Sequence, residues 1–110
     1  MKVWLDDLRQ PYPDPENWVW VRTPDEAIAL LETGEVCEIS LDHDLGLEEG
    51  GRELTGYDVV TWMERAVVTE GFEPPRRIRV HSSNASAASK MERGIEAIRR
   101  LAERSGQEDR

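Results

Sequence analysis

The sequence predicts an α/β fold, a short and mainly parallel sheet with helices on both faces. Three observations predict it. Apolar stretches typical of strands alternate with stretches of helical periodicity, and this alternation favours right-handed crossovers between parallel strands. The chain has 110 residues, enough for one sheet and its helices but not for a second core. Acidic or polar residues follow several of the strands, as at the ligand-binding edge of open parallel sheets.

Four segments are predicted to be strands because they are short, apolar and rich in β-branched or aromatic residues. They lie at residues 3–5, 18–21, 36–41 and 78–80. The first two are joined by residues 8–17, whose three prolines indicate either a distorted helix or a long loop. The predicted order is strand, strand, helix, strand, helix, strand, helix, without internal repeats.

Three segments show the apolar periodicity of helices. A capping box formed by Thr23 and Glu26 marks the start of the first helix. We expect Thr55 to cap the second helix, while residues 46–54 lack periodicity and predict a mobile surface loop. The third helix follows the last strand. The predicted domain covers residues 1–104, and residues 105–110 are expected to form a polar tail.

Composition limits the classes of function. The formal net charge of −9 argues against binding polymeric DNA or RNA, because that binding depends on Lys and Arg neutralising phosphates. No apolar stretch approaches the about 20 residues of a membrane-spanning helix. Residues 1–7 reach two aspartates too soon for a secretory signal. We therefore expect a cytoplasmic protein without membrane contact.

Five cysteine and tryptophan side chains are interpreted as core packing. Cys37 is the single cysteine, which excludes an internal disulfide, and it lies in an apolar segment. The tryptophans fall on predicted strand or helix faces, at Trp4, Trp18, Trp20 and Trp62.

Residues able to carry chemistry gather where the predicted strands end. They are Asp6 and Asp7 after the first strand, Asp42, His43 and Asp44 after the third, and His81, Ser82, Ser83 and Asn84 after the fourth. Because the carboxyl ends of parallel strands share one edge of the sheet, we expect these side chains to form a single site.

Clustered carboxylates repel one another, and a bound divalent cation relieves that repulsion. Asp6, Asp7 and Asp42 are predicted to hold Mg²⁺, with Asp44 in support and Mn²⁺ as the alternative ion. The interpretation that each aspartate only caps a helix or solvates a turn stays open.

The two histidines are candidates for proton transfer. His43 and His81 directly follow strands and could act as general acid or base near neutral pH, alongside Asp42 as the third candidate catalytic residue. A purely structural role for each imidazole is the alternative.

Four further residues are predicted to contact a phosphate. Arg9 could clamp it in a bidentate manner or instead pair with a neighbouring aspartate. Ser82, Ser83 and Asn84 could donate hydrogen bonds to phosphate oxygens. Asn84 or Ser86 could equally be the N-cap of the last helix.

These residues resemble the pattern of two-component receiver domains. Asp6 and Asp7 match the metal-binding pair of receivers, Asp42 the position that accepts a phosphoryl group, and Ser82 is the nearest match to the hydroxyl residue. The sequence has no counterpart of a receiver's fifth strand and its lysine. Four segments, residues 4–9, 40–45, 55–58 and 80–84, are more similar to the cyclic-phosphate processing receiver domains.

The resemblance implies a receiver-like or flavodoxin-like three-layer sandwich with strand order 2-1-3-4 and no fifth strand. It also implies binding or hydrolysis of a small cyclic phosphate on a nucleotide or an RNA end, so a metal-dependent phosphoesterase is the leading hypothesis. The alternatives are a signalling receiver phosphorylated at Asp42 and a non-catalytic module that binds a nucleotide or a protein. The edge strand of the sheet could also pair with a second copy of the chain.

Overall fold

The computed structural model describes residues 1–47 and 50–108 of the chain. In these residues the strands are β1 (Lys2–Leu5), β2 (Val19–Val21), β3 (Glu38–Leu41), β4 (Asp44–Leu47), β5 (Glu53–Thr55) and β6 (Arg77–Val80). The helices are α1 (Pro24–Leu31), α2 (Tyr57–Glu70) and α3 (Ala85–Glu108). One turn of 3-10 helix at Pro15–Asn17 interrupts the proline-rich connection, which is otherwise a long loop.

The main sheet has the order β2-β1-β3-β6, and every neighbouring pair is parallel. Val3 lies opposite Val19 on one side and Ile39 on the other, and Ile39 lies opposite Ile78. Because β6 is the fourth of the predicted strands, the expected order 2-1-3-4 is confirmed. The fold is receiver-like, with no fifth parallel strand among the described residues.

The helices lie on one face of this sheet. Val3 and Leu5 of β1 and Ile39 and Leu41 of β3 are fully buried, and their side chains point to the same face because strand side chains alternate. They share one core with buried residues of all three helices, namely Ala27, Leu31, Val59, Val60, Met63, Val67, Met91 and Ile98. Helices on both faces were expected, and the described residues place none on the second face. Prolines in residues 8–17 break the segment that would have supplied one.

The proline-rich loop covers part of the second face instead. Trp4 is 8% exposed, its indole nitrogen donates to the carbonyl of Arg9 at 2.9 Å, and Trp18 meets its ring edge-on. Pro11 is also buried. Of the predicted core residues, Trp4 is therefore buried, although on the face opposite the helices.

The remaining packing predictions have mixed outcomes. Trp62 packs against the main core and against Phe72, whereas Trp18 and Trp20 are half-buried. Cys37 is exposed, so the prediction that it packs in the core is wrong. The strand begins only at Glu38, and Cys37 precedes it beside the carbonyl of Met1.

The segment predicted as a loop at residues 46–54 contains most of a hairpin. Strands β4 and β5 are antiparallel, with Asp44 opposite Thr55 and Leu47 opposite Glu53. The loop prediction is therefore wrong for residues 46–47 and 53–54, which lie in the two strands. Residues 50–52 belong to neither strand, and residues 48–49 lie outside the described residues. Buried Leu45 anchors the hairpin to the core. The sequence did not indicate these two strands because they are too short to show an alternation of apolar and polar residues.

Of the two predicted helix caps, one is confirmed and one is wrong. The Thr23 hydroxyl accepts a hydrogen bond from the Glu26 amide at 3.2 Å, which confirms the predicted cap of α1. Thr55 belongs to β5, so its predicted role is wrong, and α2 instead begins after Gly56 without a side-chain cap. Gly71 ends α2 in the left-handed conformation with φ 66°.

Helix α3 extends its backbone to Glu108, into the segment predicted to be a tail, and the domain boundary at residue 104 stays a prediction. None of the described helices has the length and apolar composition needed to cross a membrane. Pairing of an edge strand with a second copy also stays a prediction.

Candidate metal and phosphate site

Three adjacent strands deliver one residue each to the same edge of the sheet. The amide of Asp6 donates to Val21, that of Asp42 to Leu5, and that of His81 to Leu41, at 3.0–3.1 Å. These bonds continue the parallel ladders one residue past the strands. As a result, one ligand atom from each of Asp6, Asp42 and His81 lies within 4.8 Å of the other two. We call these three residues the inner group.

Asp6 is the most strongly held member of the inner group, with only 1% of its surface exposed. Its Oδ1 accepts hydrogen bonds from the amides of Leu8 and Arg9, both at 2.9 Å. Its Oδ2 lies 3.1 Å from His81 Nε2 and 3.2 Å from Arg9 Nε. Burial raises the pKa of Asp6, but these donors outweigh it and leave the pKa below its usual value. Asp6 is therefore ionised at neutral pH.

Asp42 experiences the opposite balance. It is 6% exposed, and its Oδ1 accepts from the amide of His43 at 2.9 Å. Burial, followed by the negative charge of Asp6, raises the pKa of Asp42 above its usual value. The two buried carboxylates therefore repel each other. An additional positive charge at this edge would stabilise the ionised form of each.

His81 completes the inner group from β6. Its Nδ1 lies 2.8 Å from the Ser40 hydroxyl, and its ring stacks on Trp4 with centroids 3.9 Å apart and planes 9° from parallel. Burial lowers the pKa of His81 more than the neighbouring Asp6 raises it. The imidazole is therefore neutral near pH 7, the form that binds metal ions.

The donor set of the inner group fits a divalent cation. Carboxylate oxygens from Asp6 and Asp42 are the ligands that Mg²⁺ and Mn²⁺ prefer, and Mg²⁺ commonly uses only one or two carboxylates. The imidazole of His81 adds a nitrogen ligand for ions that accept one. Two of the four predicted carboxylates thus converge, together with a histidine that was predicted for proton transfer.

Three further predicted site residues at this edge form an outer group, Asp7, His43 and Asp44. His43 Nδ1 lies 2.9 Å from Asp44 Oδ1, and the Asp44 side chain is 68% exposed. Asp7 is half-buried beside Gly46, where an added Cβ would lie 3.5 Å from Asp7 Oδ2. The described structure places no member of the outer group within the inner one, so their metal-binding and catalytic roles stay predictions.

Arg9 bridges the two carboxylates of the inner group. Beside its contact with Asp6, its Nη2 lies 3.6 Å from Asp42 Oδ1. The alternative in which Arg9 pairs with aspartates is therefore the arrangement observed. Because the Arg9 side chain is 56% exposed, it has room to turn toward a ligand, and its phosphate-binding role stays a prediction.

The residues after β6 form the turn and the N-cap at the start of α3. The side-chain oxygen of Asn84 accepts from the Ala87 amide at 3.2 Å, so Asn84 is the N-cap that the sequence offered as an alternative. Ser82 accepts from the Asn84 amide at 3.1 Å, and Ser83 is exposed in the same turn. Their contacts with phosphate stay predictions.

Sequence reasoning missed three residues that shape the site. Ser40 and Trp4 hold the His81 ring, and Gly56 lets the chain pass the backbone of Asp42, whose carbonyl oxygen would lie 2.0 Å from a Cβ at that position. Ser40 carried a signal, since it is a polar residue within an otherwise apolar strand. Trp4 and Gly56 carried none beyond lying in segments that resemble a known family.

Comparison with protein families agrees with this geometry. The family model of the cyclic-phosphate processing receiver domain matches residues 1–97 of the chain. Comparison with curated proteins finds no significant match, and comparison with solved structures finds none either. The matched region contains the six strands of the described residues, the whole inner group and the outer group. The chain therefore belongs to the cyclic-phosphate processing receiver domain family.

Proposed function

We propose that this domain binds a divalent cation, Mg²⁺ or Mn²⁺, through Asp6 and Asp42 and hydrolyses a small cyclic phosphate. The observation that carries the proposal is the convergence of Asp6, Asp42 and His81 within 4.8 Å. Family membership adds the link to cyclic phosphates. The substrate class is a cyclic nucleotide or an RNA end closed by a cyclic phosphate.

The reaction is the addition of water to phosphorus with cleavage of one ring P–O ester bond. A bound cation would polarise the phosphoryl group and make water more acidic. The chain must then remove a proton from water and return one to the departing ester oxygen, which becomes a hydroxyl group. Proton balance therefore needs at least one side chain that can both accept and donate.

His43 is the better placed of the two histidines for this proton transfer. Both nitrogens of His81 already have partners, Asp6 and Ser40. His43 uses Nδ1 to contact Asp44, and within residues 1–47 and 50–108 no hydrogen bond engages its Nε2. The His43 side chain is 23% exposed, and we assign to its Nε2 the exchange of protons with water and the departing oxygen.

Charge complementarity supports phosphate binding at the same place. A cation held by Asp6 and Asp42 would compete with Arg9 for these carboxylates, and the guanidinium of Arg9 would then be available to a phosphate. The hydroxyls of Ser82 and Ser83 and the first turn of α3 add hydrogen-bond donors next to His81. An acidic protein can thereby bind an anion through one compact positive site.

Turnover is the measurement that tests the proposal. Cyclic nucleotides with five-membered and six-membered phosphate rings, and an RNA oligonucleotide ending in a cyclic phosphate, are incubated with Mg²⁺ or Mn²⁺ and followed by ³¹P NMR. We expect a ring-opened product only with cation. His43→Ala should reduce the rate by about 10²- to 10⁴-fold, while Glu103→Gln, a change at an exposed residue of α3, should not.

If the protein binds these cyclic phosphates in the presence of cation but hydrolyses none of them, the result would contradict the proposed hydrolase activity and favour a non-catalytic binding module. Loss of cation binding in His43→Ala would contradict the separation of roles between the histidines.

One observation favours a second candidate function, a phosphoacceptor receiver domain. The guanidinium of Arg9 lies 3.6 Å from Asp42 and supplies a positive charge beside the residue that would accept the phosphoryl group. Incubation with a small phosphodonor distinguishes the functions by mass spectrometry. A stable, acid-labile phosphoryl adduct that disappears in Asp42→Asn would favour the receiver and count against hydrolysis.

A further inference from the structure

A buried chain of hydrogen bonds runs from β3 to β1 through His81. The Ser40 hydroxyl lies 2.8 Å from His81 Nδ1, and His81 Nε2 lies 3.1 Å from Asp6 Oδ2. Ser40 is 3% exposed and Asp6 is 1% exposed. Both ring nitrogens are thus engaged by buried partners, which leaves the imidazole little rotational freedom.

The sheet register holds this chain in place. Trp4 lies opposite Ser40 in the β1–β3 pair, and Leu41 lies opposite Val80 in the β3–β6 pair. Side-chain alternation therefore points Trp4 and Ser40 to the same face, where the indole stacks on His81 at 3.9 Å. The aromatic stack fixes the ring plane, and Ser40 meets the nitrogen at its edge.

In the free protein, one tautomer of His81 satisfies both contacts. An ionised carboxylate accepts hydrogen bonds and cannot donate, so the contact with Asp6 requires a hydrogen on Nε2. A neutral imidazole then presents a lone pair at Nδ1, to which the Ser40 hydroxyl donates. The hydroxyl is the donor in this state.

Ligation of a cation through Nε2 reverses the arrangement. The hydrogen must then reside on Nδ1, because Nε2 needs its lone pair for the metal. Nδ1–H requires an acceptor in this buried position, and the oxygen of Ser40 lies within reach. A hydroxyl can donate in one state and accept in the other, which an amide nitrogen, an alanine or a carboxylate cannot do.

We infer that Ser40 is the positioning residue of His81, a hydroxyl that supports the Nε2–H tautomer in the free protein and the Nδ1–H tautomer when a cation is bound. The second half of this inference rests on the proposed function and on His81 Nε2 joining Asp6 and Asp42 as a third ligand of the cation. The first half concerns the free protein alone.

A nucleophilic role for Ser40 is excluded by its burial. A hydrogen-bonded row of serine, histidine and aspartate side chains also occurs in hydrolases, where the serine oxygen attacks the substrate. Ser40 lies in a strand flanked by β1 and β6 and is almost fully covered, so no phosphorus atom can approach its oxygen. Its action is therefore exerted through His81.

The free protein provides the first test, by ¹⁵N NMR of the two imidazoles. We expect His81 to carry its hydrogen on Nε2, and we expect Ser40→Ala to shift the Nδ1 signal because a donor is lost. Ser40→Thr should restore the signal, and His43 serves as an internal control. An unchanged Nδ1 signal in Ser40→Ala would overturn the inference.

The second test uses Zn²⁺ as the probe, since it accepts nitrogen and oxygen ligands and has a filled d shell suited to NMR. Zn²⁺ should move the His81 hydrogen to Nδ1. Ser40→Ala should bind Zn²⁺ about 10- to 100-fold more weakly, while Ser40→Thr and the exposed hydroxyl control Thr69→Val should bind as tightly as the wild type.

The two tests separate the possible failures. Wild-type protein that binds none of Zn²⁺, Mg²⁺ and Mn²⁺ would contradict the proposed function, while the Nδ1 signal of the free protein still decides the role of Ser40. Equal Zn²⁺ affinity of wild type and Ser40→Ala would overturn the positioning role even if the cation binds.

Discussion

The inner and outer groups lie side by side at the same edge of the sheet, yet their environments differ. Asp6 and Asp42 are 1% and 6% exposed, and each is fixed by backbone amides. In the outer group the Asp44 side chain is 68% exposed, and its partner His43 is 23% exposed. Buried groups with fixed donors are suited to holding a charge in place, whereas exposed groups exchange protons with solvent. The proposed function therefore assigns cation binding to the buried group and proton transfer to the exposed one.

The largest expected difference between the groups is in cation affinity. Asp42→Asn keeps the size of the side chain but removes one of two converging charges. Loss of a residue that only supports a metal ligand typically weakens metal binding about 10- to 100-fold. Loss of the Asp42 carboxylate itself should therefore reduce Mn²⁺ affinity by more than this. Asp44→Asn should change it little, because that carboxylate is exposed and pairs with His43. Calorimetric titration measures both. Equal losses in the two variants would show that the groups bind the cation together.

A smaller effect is expected on stability, since the backbone of the inner group is tightly packed. An added Cβ at Gly56 would lie 2.0 Å from the carbonyl oxygen of Asp42 and 2.9 Å from Met91 Cε. Gly56→Ala should therefore lower the free energy of unfolding by about 1–3 kcal/mol. Gly50→Ala, where nothing lies within 4 Å, is the matched control. Urea unfolding that gives equal stabilities would contradict the close packing.

The smallest expected effect concerns pH. The pKa of His81 in the folded protein lies below its usual value of 6.5 because of burial. The unfolded chain therefore takes up this proton first, and the free energy of unfolding should fall as the pH drops below 6.5. His81→Gln should show a weaker decline. An NMR titration midpoint of His81 above 6.5 would contradict the assignment.

The sequence predicted the parts of the fold that depend on local chemistry. Thr23 and Glu26 identified the start of α1 because the capping contact spans only three residues. The sequence predicted that Asp6 and Asp42 meet at one edge because each directly follows a strand of a parallel sheet. The third predicted metal ligand, Asp7, lies outside the inner group, and His81 is found there instead. The hairpin β4–β5 was missed because its strands are short and are stabilised by the contact of Leu45 with the distant core.

Other features depended on contacts that no local pattern records. The partnership of Ser40 with His81 joins residues 41 positions apart, and composition cannot reveal it. Cys37 was placed in the core because the apolar run was extended past the true start of β3. The one-sided helix layer follows from the failure of residues 8–17 to form a helix, a result that the sequence left open.

The distance along the chain between Asp6 and His81 has a thermodynamic consequence. These residues are 75 positions apart, so the unfolded chain does not assemble the inner group, and a ligand that needs all three residues binds the native state preferentially. By linkage, a cation at about 100 times its Kd would add about 2.7 kcal/mol to the free energy of unfolding. The melting temperature of the domain is therefore itself a measure of site occupancy, and each candidate ion can be ranked by the shift it causes.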